Sequence, residues 1–150
     1  MTDQAEAEAA LAEHGAALAE AILAVLPTWS AGAVARFRPD LAPAGEAAGQ
    51  DAAEAIGARL RALLAADVDE QRVNPLALAR EAVAWPTAVL RDAGVPPVPR
   101  DDHERTHFPD DDYGLTPMSF AELDPSLHEP GILWGAIKAR THLLRHRSSR

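Results

Sequence analysis

The feature that most constrains the fold of this 150-residue chain is its high alanine content, with leucine and isoleucine recurring at helical spacing. Alanine is the strongest helix former, and it dominates the first 66 residues. Residues that favour strands are few, and valine and isoleucine never alternate with polar residues over a long run. We therefore predict an all-α protein, a compact bundle of about five to six helices with a long Pro/Asp-rich loop near residues 95–115.

Prolines set the predicted helix ends in the first half of the chain. The first helix is expected to begin at Thr2 or Asp3 and to end at Pro27, because proline cannot continue the helical hydrogen-bond ladder. A separate short helix is then predicted to stop at Pro39. The next helix is expected over residues 46–66, after a loop rich in proline and glycine.

The middle of the chain opens with a strong helix start at Asn74-Pro75, where asparagine caps and proline fills the first turn without losing a hydrogen bond. Apolar residues surround much of this helix, which predicts that it is the central and most buried one. Pro86 lies inside it. Since the apolar pattern continues to Ala93, we predict a kink at the proline rather than two helices, with Gly94 as the C-terminal cap.

Residues 116–150 are predicted to form short helical elements followed by one long helix. The starts are expected at Thr116-Pro117 for a short helix, Asp124-Pro125 for a turn and Glu129-Pro130 for the long helix. The buried face of the long helix is predicted from its apolar stripe, which comprises Ile132, Leu133, Ala136, Ile137, Leu143 and Leu144. Trp134 lies about a quarter turn off this stripe. Packing inside the chain is favoured for it, and contact with the loop or with a partner stays open.

Charge and composition exclude several classes of function. The formal net charge of −9 disfavours non-specific nucleic-acid binding, and the absence of cysteine excludes disulfides, thiol nucleophiles and thiolate metal sites. The acidic N-terminus lacks the basic start of a signal peptide, and no apolar run is expected to approach the roughly 20 residues that span a bilayer. We predict a cytoplasmic protein with no membrane partner, a single domain over residues 1–150 whose one candidate sub-boundary lies near residues 67–74.

Residues 103–107 match the H-E-x-x-H pattern of zinc hydrolases. On a helix, His103 and His107 would face the same way and could hold Zn²⁺, while Glu104 could polarise the bound water. Pro99 and Pro109 flank the motif closely and disfavour a stable helix. The simpler interpretation is one exposed turn with solvated side chains. A zinc-dependent hydrolase is therefore the second hypothesis. The leading hypothesis, a non-catalytic interaction or regulatory protein, involves no cofactor.

Acidic residues near this motif allow further metal interpretations. A catalytic zinc would need a third ligand, for which the candidates are Asp110, Asp112, His128 and Glu129. The run of three aspartates at 110–112 could bind Mg²⁺ or Ca²⁺, but it lacks the alternating ligands of an EF-hand loop. A solvated acidic loop is the simpler interpretation.

The C-terminal end is basic, with Lys138, Arg140, Arg145, Arg147 and Arg150. Cations near a helix C-terminus are favoured by the helix dipole, and they could also pair with the Asp-rich stretch. Nucleic-acid binding through this helix is the third hypothesis. The acidic net charge and the lack of interleaved aromatic residues count against it.

No nucleophile motif, phosphate-binding glycine loop or dinucleotide fingerprint occurs in the sequence. The leading hypothesis is therefore a non-catalytic helical interaction or regulatory protein whose long irregular segment binds a protein partner. The predicted partner-binding residues are Phe108, Asp110, Asp111, Tyr113 and Trp134. The chain is also compatible with a homodimer, since Ala-rich helices with Leu/Ile stripes pack well against copies of themselves.

Several strings in the second half are unusual, among them Asn74-Pro75-Leu76, Phe108-Pro109-Asp110-Asp111 and His128-Glu129-Pro130-Gly131. On these strings the second half resembles a family of small hypothetical proteins of high-GC actinobacteria. The resemblance implies a bacterial, cytosolic origin, and it carries no fold, ligand or site to this chain.

Overall fold

The computed structural model describes residues 2–66 and 75–148, and every regular element in this part is helical. The α-helices are α1 (Thr2–Ala35), α2 (Ala42–Ala66), α3 (Pro75–Ala82), α4 (Ala84–Asp92), α5 (Asp102–His107), α6 (Phe120–Leu123) and α7 (His128–Ser148), with 3₁₀ turns at Pro39–Leu41 and Pro125–Leu127. The predicted all-α bundle is confirmed. The expected cap at Asn74 and the candidate sub-boundary at 67–74 lie outside the described residues.

The two longest helices, α1 and α2, pack against each other as an antiparallel hairpin. At Gly15 of α1, a Cβ atom would fall 2.0 Å from the carbonyl oxygen of Leu64, at the end of α2. At Gly49 of α2, a Cβ atom would fall 2.6 Å from the carbonyl oxygen of Leu26. The missing side chains let the two backbones approach closely, which is how an Ala-rich sequence forms a core with few large side chains. The fully buried large residues of this core include Leu11, Ile22, Leu26, Ile56, Leu60 and Leu64.

The expectation that α1 ends at Pro27 is wrong, because the helix continues to Ala35 and no separate short helix precedes Pro39. A proline inside a helix removes one backbone hydrogen bond and strains the preceding turn. The burial of side chains before and after Pro27 outweighs this cost in free energy. Leu26 and Val34, before and after the proline, are both fully buried.

The helix expected around Pro86 is interrupted rather than kinked, so α3 and α4 are separate helices that meet at Val83. Pro86 has no N–H to bond the carbonyl of Ala82. At the junction, the N–H of Val83 bonds the carbonyl of Arg80 at 3.2 Å, three residues back rather than the four of an α-helix. The central helix of the bundle is α1, which contacts α2, α4, α6 and α7. The expected C-terminal cap is confirmed, because Gly94 follows α4 with a φ of +77°.

Helix α1 is long and apolar enough, by length and composition, to cross a membrane. This differs from the expectation that no such stretch exists. Core helices of soluble proteins pass the same test, and 39% of the most apolar window of α1 is buried inside the structure. The surrounding helices α2, α4 and α7 account for that burial.

The final helix, α7, packs on the hairpin with a different face from the one its apolar stripe predicts. Ile132, Leu133 and Leu143 are 60%, 47% and 63% exposed. Trp134 and Thr141 are buried instead. The predicted buried stripe is therefore wrong for these three side chains, whereas Ile137 packs against the core as expected, and the helix is turned so that the indole faces inward.

Hydrogen bonds to backbone carbonyls account for this orientation of α7. Trp134 donates from its indole Nε1 to the carbonyl oxygen of Leu64 at 3.0 Å. The hydroxyl of Thr141 donates to the carbonyl oxygen of Ile137 in its own helix at 2.8 Å, and it also lies 3.3 Å from the carbonyl oxygen of Ala7 in α1. Leu64 lies in the last described turn of α2, where helix carbonyls need partners from outside the helix, and the indole N–H of Trp134 supplies one.

Candidate functional site

The Pro/Asp-rich segment, residues 95–115, is closed on itself by hydrogen bonds between its two ends. The N–H of Val98 donates to the carbonyl oxygen of Asp112 at 2.9 Å, and the hydroxyl of Tyr113 donates to the carbonyl oxygen of Val95 at 2.7 Å. The guanidinium of Arg100 donates to the main-chain carbonyls of residues 108 and 109. The segment is thus an ordered loop that presents a defined surface.

Tyr113 anchors the segment in a second apolar cluster between the end of α1 and α4. It is 3% exposed, and its ring lies edge-on to Phe37 with centroids 5.4 Å apart. Burial raises the pKa of its hydroxyl, and the nearby carboxylate of Asp112 raises it further. The side chain is enclosed by the fold, so Tyr113 offers almost no surface to a partner, contrary to the prediction.

Asp111 stabilises the turn that follows it through hydrogen bonds to its carboxylate. Its carboxylate accepts hydrogen bonds of 2.8 Å from the N–H groups of Leu115 and Thr116, and it also accepts from the hydroxyl of Thr116. The residue is buried. Asp111 is therefore used within the chain, as is Trp134 at the end of the hairpin, and neither is retained as a partner-binding residue.

The neighbouring aspartates do not form a cation site with Asp111. Asp112 pairs with Arg91 at an N–O distance of 2.6 Å. Asp110 is exposed, and its main-chain carbonyl oxygen accepts from the same guanidinium at 3.3 Å. Each of the three carboxylates has a different environment, so the triple-aspartate run is not a cluster of metal ligands.

A groove of about 470 Å³ lies between helices α3 and α4 on one side and residues 107–111 on the other. The helices contribute Arg80, Thr87 and Arg91, and the segment contributes Phe108. The guanidinium carbon of Arg80 lies 5.3 Å from the centre of the Phe108 ring. An arginine over an aromatic ring at this distance makes a cation–π contact, which holds the guanidinium in place.

Two of the charged side chains that line the groove form ion pairs, and Arg80 does not. Glu81 pairs with Arg59 at 2.8 Å, and Arg91 pairs with Asp112. Arg80 makes no ion pair with any described residue, and its Nε is buried without a hydrogen-bond partner. A half-buried cation without a counter-ion is costly, because it has lost water without gaining an opposite charge.

Thr87 adds a second unpaired group to the same groove. It is 1% exposed, and its hydroxyl has no hydrogen-bond partner among the described residues. Buried polar groups are normally hydrogen-bonded, so each exception points to a missing partner. Arg80 and Thr87 both line this cavity, alongside the carboxylates of Glu81, Asp110 and Asp111, so an acceptor group or a negative charge is favoured only beside Arg80.

The H-E-x-x-H residues lie on α5, which is helical despite the flanking prolines. Asp101 caps this helix by accepting from the N–H of Glu104 at 2.8 Å. The rings of His103 and His107 are 4.1 Å apart, and Nδ1 of His107 lies 2.9 Å from the carbonyl oxygen of His103. Within residues 2–66 and 75–148, no group of three or more histidine or acidic residues is arranged to hold a metal ion. The candidate third ligands therefore do not join the two histidines.

Part of the C-terminal basic set is used inside the chain rather than on the Asp-rich segment. Arg145 pairs with Glu8 of α1 at 2.9 Å, and the ammonium of Lys138 lies 5.0 Å from the centre of the Trp134 ring. The ion pair links α7 to α1, whereas the contact of Lys138 with Trp134 lies within α7. They leave Arg140 and Arg147 as exposed cations of that helix.

The groove residues Arg80 and Thr87 are absent from the sequence-based expectations. They are seven positions apart, so a continuous helix, as the sequence predicts here, would place them on one face. A polar pair on one face of a largely apolar predicted helix is the signal that could have identified them.

No protein-family model matches this chain, and neither the curated proteins nor the solved structures give a match to it.

Proposed function

We propose that this chain is a non-catalytic interaction or regulatory protein that binds an acidic segment of a partner protein at the groove containing Arg80. The observation that supports this most strongly is the half-buried guanidinium of Arg80, which has no ion pair among the described residues and is held over Phe108. A carboxylate from a partner would supply the counter-ion that the guanidinium of Arg80 lacks among the described residues.

The rim of the groove favours a peptide over a compact small molecule. Phe108 is only partly buried, and Met118, which is 54% exposed, lies 4.0 Å from the guanidinium of Arg80 through its sulfur. Aromatic and methionine side chains beside an arginine are typical of the centre of a protein interface. The exposed carboxylate of Asp110 stands at the edge of the groove, so it suits a partner segment with a basic residue beside its acidic one.

The proposed setting is the bacterial cytosol. The resemblance of the second half to small actinobacterial proteins supports the bacterial assignment. The acidic, cysteine-free composition is compatible with a reducing compartment.

Affinity capture from an actinobacterial lysate tests the proposal. The unmodified chain and three variants are compared: Arg80→Gln, Phe108→Ala and the control Arg36→Gln. The control removes an exposed arginine that directly follows α1 and lies outside the groove. A protein retained by the unmodified chain and by the control, but lost from both groove variants, supports the proposal. The same set of captured proteins for all four chains contradicts it.

The affinity of the captured partner then measures the contribution of Arg80. Hydrogen bonds to a charged group contribute about 1.5–3 kcal/mol, so Arg80→Gln is expected to weaken binding by roughly 10- to 150-fold. Isothermal titration calorimetry gives this ratio. A change below about threefold for Arg80→Gln, with Arg36→Gln as reference, would place the binding surface elsewhere.

A zinc-dependent hydrolase is the second candidate, favoured by the adjacent rings of His103 and His107 on a capped helix. Zinc would need further ligands from water, from a partner or from a second chain. Titration of untagged protein with Zn²⁺ decides this. One tightly bound ion per chain, lost in His103→Ala and retained in His128→Ala, would support the metal site. Binding no tighter than that of His103→Ala would remove it.

A further inference from the structure

The face of α7 that points away from the hairpin carries an apolar seam that no described part of the chain covers. It consists of Ile132, Ala136, Ala139 and Leu143, all exposed, with the two large side chains 60% and 63% exposed. Their spacing of four, three and four residues is the alternation that keeps one line of side chains on one face of a helix. This seam is distinct from the buried face that holds Trp134.

The seam reads the same in both directions along the helix. Its order is large, small, small, large, and the spacing is symmetric about the point between Ala136 and Ala139. A second copy related by a two-fold axis would place Ile132 opposite the partner subunit's Leu143, and Ala136 opposite the partner subunit's Ala139. Such self-complementarity is what a two-fold symmetric interface requires. The two alanines at the centre allow the helices to approach closely.

Charges at the two ends of the seam favour the antiparallel arrangement. Glu129 continues the seam at its N-terminal end, and His146 and Arg147 lie at its C-terminal end. Neither Glu129 nor Arg147 makes an ion pair within the described residues. Antiparallel pairing brings Glu129 beside the partner subunit's Arg147, whereas parallel pairing would bring like charges together at both ends.

We propose that the chain forms an antiparallel homodimer through this face of α7. The interface lies on one helix of each subunit and is smaller than the roughly 20–30 residues per side of a standard interface. A reversible dimer with dissociation in the micromolar range is therefore expected. The proposal is independent of the Arg80 groove, which lies on α3, α4 and the Pro/Asp-rich segment.

Sedimentation velocity over a range of concentrations tests the dimer with a matched pair of variants. Ala136→Glu places a charge at the centre of the seam, and the control Ala88→Glu makes the same change at an exposed position of α4. The unmodified chain and the control are expected to shift from monomer to dimer as concentration rises, while Ala136→Glu stays monomeric. A monomer at all concentrations up to near-millimolar, or a dimer that Ala136→Glu leaves unchanged, overturns the proposal.

Disulfide trapping tests the orientation, because the chain has no cysteine of its own. A mixture of Ile132→Cys and Leu143→Cys is expected to give a crosslinked dimer of the two variants under mild oxidation. Each variant alone is expected to give none, since antiparallel pairing separates like positions by about 16 Å along the helix axis. Rapid crosslinking of either variant with itself would show a parallel pair and overturn the antiparallel dimer.

Reversing both charges of the pair formed by Glu129 and the partner subunit's Arg147 tests whether this pair stabilises the dimer. Glu129→Arg alone is expected to weaken the dimer by about three- to tenfold, and adding Arg147→Glu is expected to restore it. A double variant that dimerises no better than Glu129→Arg contradicts the pairing of these two residues.

Discussion

Trp134 and Leu64 are 70 residues apart in sequence, and the indole Nε1 of the first donates a 3.0 Å hydrogen bond to the carbonyl oxygen of the second. That carbonyl belongs to the last described turn of α2, where helix carbonyls need partners from outside the helix. Gly15 of α1 lies against the same carbonyl. Three helices therefore meet at one acceptor, and this contact sets which face of α7 points inward.

Trp134→Phe tests this contact. The variant removes the described hydrogen bond to the Leu64 carbonyl, so the free energy of unfolding is expected to fall by about 1–3 kcal/mol, with loss of packing added to it. Urea denaturation measures the change. Leu133→Ala, at the next position but 47% exposed, is expected to alter stability by less than about 0.5 kcal/mol. Equal losses for the two variants would show that the indole is not the anchor of α7.

Gly15→Ala and Gly32→Ala form a second pair, both within α1. A Cβ at position 15 would lie 2.0 Å from a backbone oxygen of α2, whereas one at position 32 meets nothing within 4 Å. The first variant is expected to destabilise by about 1–3 kcal/mol, because the hairpin must separate. The second is expected to stabilise by about 0.5–1 kcal/mol through helix propensity. Thermal denaturation gives both signs, and stabilisation by Gly15→Ala would refute the close approach.

The alkaline titration of Tyr113 reports the packing of the Pro/Asp-rich segment. It is the only tyrosine in the sequence, so the tyrosinate absorbance band follows this residue alone. Burial raises its pKa in the folded protein. The titration midpoint is expected above the value of about 10 for free tyrosine, and denatured protein is expected to titrate near that value. A folded midpoint equal to the denatured one would mean that the side chain is exposed.

The same shift fixes the direction of the pH dependence of stability. Since the folded pKa of Tyr113 lies above the unfolded one, its contribution is complete below the unfolded pKa of about 10 and is lost as pH rises through the folded pKa. Tyr113→Phe is therefore expected to flatten the alkaline loss of stability in this window. Urea unfolding at a series of alkaline pH values measures it, and identical slopes for the two proteins would contradict the assignment.

The local features that the sequence predicts correctly are those set by backbone chemistry. The positive φ of Gly94 after α4 and the 3₁₀ turn after Asp124 both follow from residues that favour these conformations on their own. The all-α class follows from alanine content and helical spacing in the same way. These local signals do not depend on which helices and loops pack against each other.

The features that the sequence does not reveal are those decided by tertiary contacts. Pro27 lies inside a continuous helix because α2 covers both sides of it, and α7 buries Trp134 rather than Leu133 because the hairpin offers a carbonyl there. Apolar periodicity alone does not distinguish a face that packs inward from one that meets another chain. The Arg80 groove arises only when α3, α4 and the segment come together.

The central claim is that the groove containing Arg80 binds a partner protein, and site-specific photocrosslinking tests it most directly. A benzophenone amino acid replaces Ala84, an exposed residue that lines the groove, in the full chain expressed in the host cell, and a second chain carries it at the exposed position Ala12 of α1. Irradiation is expected to give a discrete protein adduct from position 84 that is absent at position 12 and lost when Arg80→Gln is added. No adduct from position 84, or one that persists with Arg80→Gln, would contradict the account.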